Sequence, residues 1–141
     1  MTVPATAARL GLEPHPEGGW FRRTWTSPVT VEAAAGTRPA ATCIHYLLEP
    51  GERSAWHVVT SDELWLWHGP GSLELQLGGD GAEPGEVTTV LLGPGAAAQG
   101  IVPAGTWQAA RPASGEEVLV SCFVSPGFDF ADWRLADSNT L

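Results

Sequence analysis

The stretch "GERSAWHVVTSDELWLWHG", residues 51 to 69, holds an imidazole, His57, and a carboxylate, Glu63, six positions apart among tryptophans. Such a pair can do proton chemistry, because a carboxylate beside an imidazole raises the pKa of the ring and fixes its orientation. It can equally be a buried hydrogen-bonded pair that only stabilises the fold. As metal ligands the two are too few, since a catalytic first-row metal site usually needs three or four N, O or S donors. His15, His45 or His68 would have to complete the shell from elsewhere in the chain. Tyr46 adds a phenol, which facing a histidine across a cavity gives an acid partner to a general base, the pair an epimerase or isomerase needs. Strand alternation makes Tyr46 and His45 mutually exclusive as cavity residues.

Other residues gather around these. Seven tryptophans are a heavy load for 141 residues, and an indole offers a flat apolar face and an N–H donor to a guest. Core filling is the expected role for most; Trp65 and Trp67, on the strand face of Glu63, are assigned to the cavity wall. Arg22 and Arg23 alternate, so only one points inward, where its fork would grip a carboxylate or phosphate. Arg22 is assigned that position. In "HPEGGW", His15 and Glu17 reach toward the cavity mouth on one reading. On the other, Pro16, Gly18 and Gly19 form a tight turn that positions the first strand. Asp129 and Asp132 in "GFDFADW" are expected to cap a short terminal helix.

These residues need elements to hold them, and the chain supplies strands. Apolar runs of strand length, "GWFRRTWT", "AATCIHYLL", "SAWHVV", "ELWLWH", "SLELQLG", "EVTTVLLG", "QGIVP", "TWQAAR" and "EVLVSCFVS", are separated by glycine, proline and acidic turn signals. That spacing predicts an all-β sandwich or barrel. Helical periodicity is confined to "PATAARLGL" and "FADWRL", both short and peripheral. In "ELWLWH" one face carries Glu63, Trp65 and Trp67 and the other Leu64, Leu66 and His68. If the turn "TSD" folds "SAWHVV" onto it, His57 and Glu63 face one cavity.

Composition narrows the function. The chain fits one domain, residues 1–141, with room for a real core. All seven basic residues are arginines and the net charge is -9, which disfavours a nucleic-acid partner. No run of some eighteen apolar residues suggests a membrane span, and the N-terminus lacks a signal-peptide pattern, so the cytoplasm is the expected location. Cys43 and Cys122 are too few for a disulfide framework and are expected as buried free thiols.

The chain resembles the cupin superfamily. Gly51, His57, Glu63 and Gly69 match its first motif, and Pro103 and Gly105 of "PAGTWQ" match its second. Where metal-binding cupins carry further histidines, this chain has Val59 and Gln108. Over nearly its whole length, from "HPEGGWFRRTW" to "SPGFDFADWRL", it is similar to a small cupin branch with a His-Pro-Glu-Gly-Gly-aromatic opening and a Pro-Gly-Phe-Asp-Phe close. The resemblance implies a double-stranded β-helix (a cupin jelly-roll barrel) with a ligand pocket inside, and a homodimer. Outward-facing Leu64 and Leu66 suit a sheet face covered by a twin subunit.

The leading expectation is a metal-independent isomerase, epimerase or cyclase acting on a small polar or sugar-like molecule. His57 is its base, Glu63 assists, Tyr46 or Gln108 is the partner, and Trp65, Trp67, Gln108, Arg22 and Glu17 contact the guest. One alternative is a metal-dependent cupin enzyme holding one divalent transition metal on His57, Glu63, Gln108 and a ligand from outside the motif. The other is a non-catalytic module whose aromatic cavity binds a metabolite.

Overall fold

The computed structural model describes residues 2–137. In chain order the elements are α1 (Ala5–Leu10), β1 (Glu13–Pro14), β2 (Trp20–Thr26), β3 (Thr30–Ala33), β4 (Gly36–Pro39), β5 (Thr42–Leu48), β6 (Ser54–Val59), β7 (Asp62–Pro70), β8 (Leu73–Leu77), β9 (Thr88–Leu92), β10 (Gln99–Val102), β11 (Gln108–Pro112), β12 (Val118–Ser125), a 3-10 turn (Phe130–Asp132) and β13 (Trp133–Leu135). One sheet runs β1-β2-β5-β12-β7-β10 and the other β13-β6-β11-β8-β9, with β3 and β4 a separate hairpin. All the strand pairs in both sheets are antiparallel. This is the double-stranded β-helix.

All nine predicted strands form, and their period-2 pattern accounts for the core. One half of the barrel is filled by Tyr46, Leu48, Trp65, Leu73, Leu75, Leu92, Val102 and their neighbours, with Trp67 and Leu77 packed against them. Each such side chain taken from water is worth about 1.5–3 kcal/mol, so the filled half anchors both sheets. A second cluster, Ala7, Leu12, Trp20 and Leu47, docks α1 on the outside of the first sheet. The helix "PATAARLGL" therefore forms as expected, ending at Gly11 in the left-handed conformation.

Several features differ from expectation. "FADWRL" is not a helix: only Phe130–Asp132 turn, and Trp133, Arg134 and Leu135 pair with Val59, Val58 and His57 on the edge of β6. The open ladder of an edge strand outweighs the weak helical period of six residues. Asp129 caps that turn as predicted, accepting from the Ala131 N–H at 2.8 Å. Asp132 instead pairs with Arg38 through two bonds, from Nε at 2.8 Å and Nη2 at 3.0 Å. The β3–β4 hairpin was not expected, because "TVEAAAGTRP" lacks a strong alternation. Cys122 is buried and free; Cys43 is free but only half-buried, on the outer face of β5.

Candidate functional site

The unfilled half of the barrel is a cavity of about 50 Å³. Its wall includes His15, Glu17, Tyr46, His57, Glu63 and Trp65, with Arg23, Phe128 and Phe130 where it meets the surface. His57 arrives on β6 and Glu63 on β7, joined by the "TSD" turn, so the two do face one cavity. Alternation carries Val59, Trp65 and, on the neighbouring β12, Cys122 and Val124 to the same side.

His57 is oriented by its own strand. Its Nδ1 lies 2.8 Å from the Ala55 carbonyl. A carbonyl only accepts, so Nδ1 carries the proton, and neutral His57 has its lone pair on Nε2. That nitrogen is 3.6 Å from Oε1 of Glu17, which makes Glu17 a carboxylate partner of His57 from outside the 51–69 stretch. Glu17 is itself pinned: the Ser54 hydroxyl donates to Oε2 and the Trp133 indole donates to Oε1 at 3.2 Å.

The turn of "HPEGG" explains how Glu17 reaches so far inward. Gly18 has φ +109 and a Cβ there would stand 2.1 Å from the Arg53 carbonyl oxygen, while one at Gly19, φ +76, would meet Leu48 at 2.7 Å. Only glycines let this turn pack so closely, and the Ala55 N–H then bonds the Glu17 carbonyl at 2.8 Å. The turn thus both starts β2 and supplies the cavity. His15 lines the wall with its Nδ1 accepting from the Glu17 N–H at 3.1 Å, which leaves its proton on Nε2. Burial holds its pKa below the usual imidazole value, against the pull of Glu17, so its 3.5 Å approach to that carboxylate is not an ion pair at neutral pH.

Glu63 sits in a different environment. Burial pushes its carboxyl up from 4.5 to about 7, opposed by His57 and by its hydrogen bonds, and reinforced by Glu17. The Gln108 amide donates to its Oε1 at 2.9 Å, and the Gln108 oxygen accepts from the Trp65 indole at 2.9 Å. Gln108 is therefore a bracket behind Glu63, outside the cavity lining. The Cys122 thiol also bonds Glu63, and burial followed by the Glu63 charge keeps that thiol protonated.

The other expected residues divide. Trp65 lines the cavity. Trp67 does not, because its indole donates to the Gly71 carbonyl at 2.8 Å and packs into the filled half of the barrel. Arg22 does not: it pairs with outward-facing His45, and its Nη1 reaches the Leu10 carbonyl at 3.4 Å on the outside. Arg23, opposite Ile44, is the arginine that borders the cavity. Tyr46 faces in and His45 out, as alternation requires, and His45 meets His68 at 6.4 Å between ring centroids on the outer face. The Tyr46 hydroxyl, however, donates to the Gly18 carbonyl, and burial and then Glu17 drive its pKa well above the phenol range. It cannot readily release a proton near neutral pH.

The arrangement also bears on the metal alternative. The Gln108 oxygen is committed to Trp65, Val59 presents no donor, and no group of three or more His, Cys, Asp or Glu among the described residues has the geometry to hold a metal ion. Within the set His57, Glu63 and Gln108, the Gln108 amide donates to Glu63 and its oxygen accepts from Trp65.

The family described as Cupin superfamily (DUF985) matches residues 5–136. The chain belongs to this family. Among solved structures, this cupin is similar to a hypothetical protein from Leishmania major, at 33% identity and TM-score 0.82 over 91% of this chain and 83% of that one. It is likewise similar to a protein from Shewanella oneidensis, at 34% identity and TM-score 0.83 over 96% and 85%. Oxalate decarboxylase from Bacillus subtilis shares the fold alone, at 17% identity and TM-score 0.61 over 86% of this chain and 29% of that one. Comparison with curated proteins returns no match. Among the described residues, no helix is long and apolar enough to cross a membrane.

Arg23, Cys122, Ser54, Trp133, Phe128 and Phe130 were not read from the sequence as parts of the site. Only Arg23 had a usable signal. If Tyr46 faces inward, the register that pairs it with Phe21 also turns Arg23 inward, but that register is visible only once β2 and β5 are paired.

Proposed function

We propose that this cupin is a proton-transfer enzyme of the isomerase, epimerase or cyclase type, acting on a small polar molecule inside the barrel. The observation that carries the reading is the unequal treatment of two buried groups. His57 presents an unprotonated Nε2 fixed by Ala55, while Glu63 is held by burial at a pKa of about 7. A base with its lone pair turned into the cavity and an acid held near neutral pH beside it are what a proton shift with no net proton consumption requires. His57 Nε2 takes a proton from an acidified C–H or O–H of the guest, Glu17 stabilises the imidazolium that results, and protonated Glu63 returns a proton to a different atom. Glu63 takes the acid role first considered for Tyr46. No step is routed through a metal.

The test is solvent deuterium incorporation into a panel of small hydroxy and oxo compounds, followed by mass spectrometry. Wild-type protein is expected to label at least one compound. His57→Gln is expected to slow labelling by about 10²–10⁴-fold, the usual contribution of a general base, with an unchanged unfolding midpoint. Labelling unaffected by His57→Gln, or absent throughout, overturns the proposal; binding without labelling would leave a metabolite-binding module.

A further inference from the structure

The cavity is unevenly charged from rim to floor. His57, Glu17 and Glu63 are at most 8% exposed, whereas Phe130 at the surface is 47% exposed and Arg23 is exposed. Among the described residues Arg23 is the only arginine in the wall, and the chain has no lysine. Its Nη2 donates to the Phe128 carbonyl at 3.0 Å. That bond fixes the guanidinium at the rim and takes one of its five N–H donors. The walls also include apolar Phe21, Ile44, Val124 and Phe128.

These features sort ligands by charge and size. An anionic group at the floor would lie beside the Glu17 carboxylate, and beside a second negative charge wherever Glu63 ionises, and like charges in a poorly solvated space repel strongly. The same group at the rim meets a fixed guanidinium, whose fork matches a carboxylate. The cavity as a whole admits little: about 50 Å³, at roughly 10–15 Å³ per water, is the space of about four waters. Only a few non-hydrogen atoms reach the dyad.

The geometry points to a small organic monoanion as the ligand, its carboxylate held by Arg23 at the rim and its neutral, proton-exchanging end placed between His57 and Glu63. This ligand class rests on the proton-transfer reading for the role of the inner end, while the rim contact stands on Arg23 itself. Charge on the guest is thus read at the mouth and chemistry at the floor. An amine, which the buried carboxylates and aromatic walls would also attract, must pass Arg23 to enter.

The test is calorimetric titration of the intact protein with 2-oxobutanoate, 4-oxopentanoate, the neutral amide of each, and butylamine. Arg23→Gln removes the charge while keeping a donor for the Phe128 carbonyl, and Arg22→Gln is the control on the outer face. At least one oxo acid is expected to bind wild type tenfold or more tighter than its amide. Arg23→Gln should erase that preference and Arg22→Gln should keep it. Equal binding of acid and amide, equal losses in both variants, tightest binding by butylamine, or binding by none of the five overturns the inference. Deuterium incorporation separates the two readings. An oxo acid that binds through Arg23 without labelling refutes the proton-transfer function and leaves the ligand class intact. Labelling of neutral compounds that is indifferent to Arg23→Gln does the reverse.

Discussion

Replacing Glu63 by Gln tests the buried acid directly, because it keeps the shape and removes the titration. In the folded protein the carboxyl ionises near 7, and in the unfolded chain near 4.5. Between those values the folded state holds a proton that the unfolded state has released, so wild-type stability falls as pH rises from about 4.5 through about 7 and is level above. At ~1.4 kcal/mol per pH unit the full loss is about 3 kcal/mol, of which about 2–3 kcal/mol falls between pH 5 and pH 8. In Glu63→Gln the side-chain oxygen still accepts from Gln108, and this pH-dependent loss disappears. The variant should therefore gain about 2–3 kcal/mol relative to wild type on going from pH 5 to pH 8, whatever its standing at pH 5. Titrations common to both proteins, such as that of His15, largely cancel in the difference. Urea unfolding at the two pH values measures this: with a slope of about 1–3 kcal/mol/M, the gap in midpoint should open by about 1–2 M. A gap that stays constant within about half a kcal/mol would show that Glu63 ionises normally in the fold, and would remove the acid from the proposed mechanism.

Gln108→Leu takes away the donor to Glu63 and the acceptor of the Trp65 indole, leaving two buried polar groups short of a partner; thermal or urea unfolding should show a loss of about 2–4 kcal/mol. Because the Gln108 bond lowers the Glu63 pKa, the same variant should move the Glu63 titration, followed by infrared difference spectra of the carboxyl band, to higher pH, and a shift to lower pH would contradict the bracket role. The outer face of the first sheet carries Trp25, 46% exposed and stacked on Phe123 at 6.3 Å, with Ile101 59% exposed on the edge strand. That face, together with Leu64 and Leu66, is where the proposed homodimer would form. Sedimentation at micromolar concentration should give a dimer that Trp25→Ser weakens at least tenfold, and a monomeric wild type would remove the proposal.

The centre of the site was legible because it is nearly local. His57 and Glu63 stand on strands joined by a two-residue turn, so their spacing and the period-2 rule sufficed to place both in one cavity. The same rule chose between Tyr46 and His45 correctly. It failed at Trp67, where inward-facing was mistaken for cavity-lining: Trp65 belongs both to the cavity wall and to the packed core, Trp67 to the core side alone, and the register against β12 shifts between Leu119 and Val120, just opposite Trp67 and Gly69. Alternation gives a side chain's face but not its depth along the barrel.

The rim was illegible for a stronger reason. Arg23 comes from β2, Phe128 and Phe130 from the segment after β12, and Trp133 from a strand read as helix, so each owes its place to a pairing across more than seventy residues or to a register that no local pattern encodes. Glu17 lies between the two cases. "HPEGG" announced a tight turn, yet that the turn delivers a carboxylate to His57 depends on Gly18 lying flat against the Arg53 carbonyl of a distant loop. The proposed proton-transfer chemistry thus rests on residues that local pattern locates, while the proposed ligand choice rests on residues that only the closed barrel brings together. A change in the register of β2 against β5 by one residue would exchange Arg23 for Arg22 at the rim and leave His57 and Glu63 where they are. The two proposals are therefore separable by substitution in this barrel, and Arg23→Gln and His57→Gln should fail in different assays.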